Sequence, residues 1–439
     1  MKRLAPLALV ASAACPAVPF GVQYSCGSNS DCAAGQTCQA TVCVPASSSA
    51  DAGGSADAGG PTDAGSSTDA GPRPSTITGL AAGLNESCAI VRGGAQCWGD
   101  DSNGQLGNDD AGSGLYSLLP SAVVGLSNIR AIAVGTAFAC AVDANGGAWC
   151  WGRDSIGQLG DGNQTDSAVP LQVSGLTSGS GVTAVAAGND FACAIVSGGV
   201  QCWGNDSSGE LGASYVDGGQ SAVPVPVQGS GTDVTALAAG GGHVCALAAN
   251  GGVRCWGENG LGELGNGSGA ASSSTPVSVS KLTGVQAIAA GGGHSCAIAD
   301  GGVFCWGDDA VGELGDGADG GGSSNVPVPV VGLANAGVVQ AIGVGDQHSC
   351  AVVSGAVWCW GSNSDGQLGN SNPNGSAVPV QVQGLWGEAF AVVGGFNHTC
   401  ALLDGGVACW GSDAQGELGD GDPTLADQTT PQAVGPWAD

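Results

Sequence analysis

Along most of this chain small aliphatic residues alternate with polar or glycine positions in runs of six or seven, and each run stops at glycine. The stretch Val234-Thr235-Ala236-Leu237-Ala238-Ala239-Gly240 shows the pattern. Period-two runs bounded by Gly and Pro read as short, half-buried strands, and no stretch offers a convincing apolar helix face. Each run leads into Cys-Ala-aliphatic, a glycine turn and Cys-Trp-Gly. A Gly/Asp-rich loop with Gly-(Gln/Glu)-Leu-Gly follows. A Pro-x-x-Val stretch, as at Pro170 to Val173 or Pro379 to Val382, reads as leading into the next unit, giving about four strands per unit.

The phrase occurs seven times. Its cysteine pairs are Cys88 with Cys97, Cys140 with Cys150, Cys193 with Cys202, Cys245 with Cys255, Cys296 with Cys305, Cys350 with Cys359, and Cys400 with Cys409. Seven copies about 50 residues apart indicate one closed or solenoidal array. If the cysteines of a pair stand opposite each other, the hairpin turns are Asp300-Gly301, Asp404-Gly405 and Ser197-Gly198, two-residue loops suited to primed turns. The longer spacings, Cys140 to Cys150 and Cys245 to Cys255, leave Ala144-Asn145-Gly146 and Ala249-Asn250-Gly251, three-residue loops ending in Gly. Counted out from the turn, each pair falls at a non-hydrogen-bonded site, where Cα atoms are about 4.5 Å apart and a disulfide fits. Seven cross-strand disulfides are therefore expected. Zinc is disfavoured, since the spacing is too long and no His follows at a ligand offset.

The combined phrase, as in Gly293-His294-Ser295-Cys296-Ala297-Ile298, Cys305-Trp306-Gly307 and Gly312-Glu313-Leu314-Gly315, resembles the regulator of chromosome condensation (RCC1) repeat. The resemblance covers about residues 80–439 and implies an all-β, seven-bladed propeller of four-stranded antiparallel blades. The cysteine pairs depart from the intracellular members. The last Pro-x-x-Val, Pro431 to Val434, has no strands after it, and the first hairpin has no such stretch before it. This predicts closure by N- and C-terminal strands sharing one blade.

Ahead of the ring, Lys2 and Arg3 precede an apolar run, so residues 1–14 read as a secretory signal. Ser12-Ala13-Ala14-Cys15 resembles a lipobox, and Cys15 is the odd one of 19 cysteines, which favours lipidation there over free secretion. Cys26, Cys32, Cys38 and Cys43 make residues 15–45 a small module held by two disulfides of open connectivity. Residues 46–79, rich in Ser and Asp-Ala-Gly, read as a solvated tether to the ring at 80–439. The chain is thus expected outside the cytoplasm, lipid-anchored to the envelope or secreted.

Lys+Arg number 8 against 37 Asp+Glu, a net charge of −29. Such a surface repels phosphate backbones, which disfavours nucleic acid and leaves a cationic protein as the favoured partner. Of the activities the resemblance implies, chromatin contact conflicts with this charge, and nucleotide exchange on a Ran-like GTPase conflicts with the compartment.

His243, His294, His348 and His398 each stand two residues before a hairpin cysteine, where other units have Glu86, Phe138 and Phe191. A repeated blade-packing role is the expected one. The acidic loops around Asp100, Asp101, Asp308, Asp309, Glu313, Asp316, Glu417 and Asp420 lack an EF-hand spacing and read as solvated turns, with calcium the lesser alternative. Trp98, Trp151, Trp203, Trp256, Trp306, Trp360 and Trp410 read as blade packing. No catalytic pairing, metal site or cofactor site is read from the sequence. Function is expected where the repeats differ. The first unit carries Leu115, Tyr116, Leu118 and Leu119 in a loop that ought to be polar, a candidate partner contact; Tyr215, Trp386, Phe396 and Trp437 are further aromatics outside the repeat. The sequence thus favours a non-enzymatic monomer that binds a protein, or a glycan, through rim loops. A secreted enzyme inhibitor, as found in the same repeat superfamily, is the alternative.

Overall fold

The computed structural model describes residues 77–110, 115–213, 219–318, 321–333 and 336–438, together with the backbone of 36–39 and 42–45. In the second of two compact units, seven four-stranded antiparallel sheets follow one another, each built from four consecutive strands. The first blade comprises Ile77–Ala82, Glu86–Val91, Gly94–Asp100 and Tyr116–Ala122, and the last Ala389–Gly394, His398–Leu403, Gly406–Gly411 and Gln428–Ala433. First strands contact those of neighbouring blades and line the central channel.

This topology corrects the expected closure. No blade is shared between the two ends of the ring. The Pro-x-x-Val stretch does not open a blade; it belongs to the outermost strand of the preceding one, as in Ser167–Gln172 paired with Ala148–Gly152. Pro431 lies in the fourth strand of the last blade, and Ile77 already begins the first, inside the segment read as tether. A closed ring has no edge at which a repeat must start, so the period alone left the phase free.

The hairpins are as read from the spacing. Cys88 is bonded to Cys97, Cys140 to Cys150, Cys193 to Cys202 and Cys245 to Cys255. Cys296 is likewise bonded to Cys305, Cys350 to Cys359 and Cys400 to Cys409. In every pair the two residues are directly opposed in register, with Cα separations of 4.0–4.1 Å. Asp300-Gly301 and Ser197-Gly198 both take left-handed φ at both positions, as a primed turn demands. Gly146 and Gly251 supply the positive φ of the longer loops. Asp404-Gly405 is the exception. It occupies the expected site between Leu403 and Gly406, but only Gly406 has a positive φ.

The core lies between blades. Each of seven apolar clusters joins the buried disulfide of one blade to the indole of the next, as Cys296 and Cys305 are joined to Trp360. The cluster closing the ring has the same composition, with Cys400 and Cys409 against Trp98. Each indole N–H also donates to the backbone carbonyl of the Gln or Glu in the preceding blade's Gly-(Gln/Glu)-Leu-Gly, at 2.7–2.9 Å. The glycine ending that motif is required by the contact. A Cβ on Gly315, which has φ +66°, would lie 2.7 Å from the Trp360 indole nitrogen.

In the first unit, a separate two-stranded ladder pairs Gln36–Gln39 with Val42–Pro45 and sets Cys38 opposite Cys43. The signal, Cys15, Cys26, Cys32 and residues 46–76 of the tether lie outside the described residues.

Candidate functional site on the loop face of the ring

Connections between first and second, and third and fourth, strands of every blade emerge on one face, here the loop face. Hairpin turns and blade-to-blade crossings emerge on the other. The repeated polar residues of the loop face are consumed by the fold. Asp101, Asp154, Asp206, Asn259, Asp309, Asn363 and Asp413 each accept, through Oδ1, the N–H of the leucine five residues on at 2.8–3.0 Å. The next element of the repeat does likewise: Gln105, Gln158 and Gln367, like Glu313, accept an N–H two residues upstream.

Several of these carboxylates are costly to ionise. Burial raises Asp101 and Asp154 to about 6, and Glu313 and Asp413 to about 7. Glu313 Oε2 accepts the Val311 N–H at 2.8 Å, while Oε1 has no partner. Its raised folded-state pKa means a contribution to stability present in full below about 4.5 and lost as pH rises through about 7. Glu313→Gln, the residue three other blades use, should therefore stabilise by about 1–2 kcal/mol at pH 8 and by nothing at pH 4. Thermal melts of the two proteins at both pH values check this.

The histidines form a relay between blades. Nε2 of His243, His294, His348 and His398 lies 2.7–2.8 Å from the hydroxyl of Ser295, Ser349, Thr399 and Ser87 respectively, each in the next blade. Ser349 and Thr399 donate their own protons to the Glu313 and Gln367 carbonyls, so His294 and His348 must donate from Nε2. Nδ1 of all four is buried without a partner, and burial lowers their pKa values to about 3–4. They are neutral structural groups. Where the blade carries Phe138 or Phe191 instead, the facing residue of the next blade is Ala192 or Val244; Glu86 faces Ala139. Three of these pairs join residues some fifty positions apart, legible in the sequence as a hydroxyl one position after the histidine site of the following repeat; the fourth, His398 with Ser87, becomes visible only once the ring is closed. Glu86 is buried with Oε1 unpartnered, and burial holds its carboxyl well above the usual range.

What the fold leaves free is unequal between blades. The residue after the glycine that follows each first strand forms a ring at the channel mouth: Leu84, Thr136, Asn189, Gly241, Gly292, Asp346 and Phe396. Seven equivalent positions bear several different chemistries, beside a glycine that never changes. Phe396 and Leu84 are neighbours, the Phe396 N–H donating to the Leu84 carbonyl at 3.3 Å. Behind the mouth the channel is a cavity of about 230 Å³ lined by aliphatics such as Leu80, Ile132 and Val392.

The basic residues are sorted between the faces. Arg92, Arg130, Arg254 and Lys281 are all exposed at the hairpin and crossing end of the blades, where exposed Asp233, Asp300, Glu388 and Asp404 also lie. On the loop face Arg153 is the one basic residue among the described residues, and Asp190 neutralises it at 3.4 Å. Against it stand accessible carboxylates in every blade, Asp100, Asp109, Asp308, Asp346, Asp420 and Asp422 among them.

Of the sequence-predicted contact residues, Leu115 (70% exposed) and Tyr116 project from the loop face of the first blade. Leu118 and Leu119 instead pack toward the last blade, beside Gly416 and Gly421, and help close the ring. Trp437 stacks edge-on against Trp98 at 5.7 Å, also at the closure, while Tyr215 lies outside the described residues. Exposed Trp386, Phe390 and Val338 belong to the opposite face. Among the described residues no three His, Cys, Asp or Glu side chains stand together as a metal centre, and no helix is long and apolar enough to cross a membrane.

Comparison with known proteins fits this geometry. The family described as RCC1-like domain matches residues 20–351, and the RCC1 repeat matches 354–402 and 339–367. The chain belongs to the RCC1-like family. Its relatives include the ultraviolet-B receptor UVR8 of Arabidopsis thaliana, 30% identical over 71% of this chain and 70% of UVR8. The E3 ubiquitin-protein ligase HERC2 of Homo sapiens is 33% identical over 43% of the chain, a stretch that is only 4% of HERC2. Among solved structures, Prp20p of Saccharomyces cerevisiae, described with binding to Gsp1p and histones, superposes with a TM-score of 0.69 at 22% identity, covering 81% of this chain and 86% of that one. Human WBSCR16 gives 0.66 at 23%, covering 74% and 86%. These RCC1-like relatives support a binding or regulatory role for the propeller. Seven buried disulfides place this member in an oxidising compartment, outside the cytoplasm.

Proposed function

We propose that the ring is a non-enzymatic binding module that engages a basic protein through the loop face of its last and first blades. The observation that carries this is the mouth ring. Its seven positions are equivalent in the fold yet unequal in chemistry, and the apolar members Phe396 and Leu84 meet at one seam. Exposed Leu115 and Tyr116 lie on the same face of the first blade, among carboxylates that lack basic neighbours. An apolar anchor inside an acidic surround suits a partner with an apolar tip and a basic rim, the charge steering encounter. The sequence supports a signal, lipidation at Cys15 and a solvated tether, which together would hold the ring off a membrane surface. A secreted inhibitor is the same reading with an enzyme as partner. Nucleotide exchange is not proposed, because its GTPase substrate belongs to another compartment.

The test is affinity capture with the full chain from the envelope fraction and culture fluid of the source cells. Expected is a basic protein that is lost with Phe396→Ser, or with Leu115→Ser and Tyr116→Ser together, and lost as salt rises. It should be kept with Trp386→Ala. Capture that depends on Trp386 and ignores Phe396 assigns binding to the opposite face and overturns the proposal.

A further inference from the structure

The seven loops that begin three residues after each repeat tryptophan act as controls for one another. In each, Oδ1 of the Asp or Asn takes the leucine N–H, and the second side-chain atom differs. In Asn259 it is an amide nitrogen that donates to the Ala270 carbonyl at 2.6 Å, and in Asn363 it donates to the Asn374 carbonyl at 3.2 Å and to that of Asn372. In Asp154 it is a carboxylate oxygen that accepts the Thr165 N–H at 3.1 Å. Asp413 has neither solution. It is 1% exposed, and its Oδ2 is without a hydrogen-bond partner.

The cause is local. The Asp154 N–H is received by Asp166, and the next N–H back, that of Thr165, serves Oδ2. In the last blade the corresponding acceptor is Asp427, two residues later in its loop, so the chain brings no N–H to Asp413 Oδ2. What surrounds it is anionic. Glu417, Asp420, Asp422 and Asp427 share this loop, and residues 282–439 contain no Lys or Arg.

We propose that the loop from Asp413 to Asp427 binds one calcium ion, with Asp413 Oδ2 as the buried ligand and the carboxylates of Asp420, Asp422 and Asp427 supplying further oxygens. A cation takes the place that the amide groups of Asn259 and Asn363 fill in their blades. The donors are all oxygen, which suits calcium over zinc, and are spread over an irregular loop, which suits calcium over the stricter octahedron of magnesium. As they stand, these carboxylates do not converge on one point, Asp420 and Asp422 accepting from their own loop and Asp427 from the Asp413 N–H, so the site forms only as the 420–427 segment moves in toward Asp413. Glu417 lends its carbonyl to Trp98, so the ion sits beside the contact that closes the ring.

Calorimetric titration of the chelator-treated full chain with calcium chloride at pH 7.5, paired with thermal melts, tests this. The expected result is one ion per chain and a Tm raised by about 3 °C or more at millimolar calcium, with a much weaker response to magnesium. Asp413→Asn keeps the Oδ1 acceptor and the geometry of blades four and six, so it should fold, and should weaken calcium at least tenfold. The proposal is overturned by no calcium-dependent heat or shift, by an equal response to magnesium, or by an Asp413→Asn chain that binds like the parent. Stabilisation by Asp413→Asn with calcium inert in both chains would show instead that Asp413 is simply protonated.

Discussion

Trp98→Ala is expected to cost about 3–5 kcal/mol and to open the ring at one place. Every repeat tryptophan is buried against the preceding blade's disulfide, and its indole N–H satisfies a carbonyl there. At six seams the chain itself also runs from blade to blade. At the seam between last and first blades no strand is shared. There the ring is held by the Trp98 cluster, the Trp98–Trp437 contact, the Gln96 side-chain bonds to the Ala438 backbone at 2.7 and 3.0 Å, and His398 to Ser87. Removing this indole takes out the transfer energy of the largest side chain in the cluster and leaves a cavity next to Trp437. Hydrogen exchange should show loss of protection concentrated in the first and last blades. Trp306→Ala, with the equivalent disulfide and carbonyl contacts at a covalently continuous seam, should cost a comparable amount in equilibrium melts but leave the end blades protected. Equal patterns of exchange in the two variants would mean that closure is no weaker than any other seam.

His294→Phe should destabilise the ring by about 2 kcal/mol, and adding Ser349→Ala should recover most of that loss. The single change removes the Nε2–H donor from a buried hydroxyl and packs a ring carbon against it. The double change recreates the pair that the chain already uses twice, Phe138 facing Ala192 and Phe191 facing Val244. The recovery is not complete, since Ser349 also donates to the Glu313 carbonyl at 3.1 Å, a bond that alanine forfeits. A double-mutant cycle from denaturant melts reads the coupling directly, with about 1 kcal/mol or more expected. Additive losses would show that histidine and hydroxyl are independent packing residues.

The sequence by itself determined the strands, their number per repeat, the opposed cysteines and the count of blades. These follow from local rules: alternation of period two, turn residues of known preference, and a fifty-residue repeat that cannot bury its faces without neighbours. It also pointed to an oxidising compartment and to exposed Leu115 and Tyr116. Tertiary structure alone decided three things. The phase of the repeat and the manner of closure depend on which blade receives the Pro-x-x-Val strand, a matter of pairing that a periodic sequence leaves open. Leu118 and Leu119, alike in composition to Leu115, serve the closing seam because their strand happens to abut the last blade. The third is the confinement of the exposed cations to one face. Carboxylates and basic residues are scattered along the chain, and an antiparallel blade sends alternate connections to opposite ends. Four exposed cations therefore share one face with Asp233, Asp300, Glu388 and Asp404, while the larger acidic loops, with Phe396 and Leu84 at their centre, gather at the other.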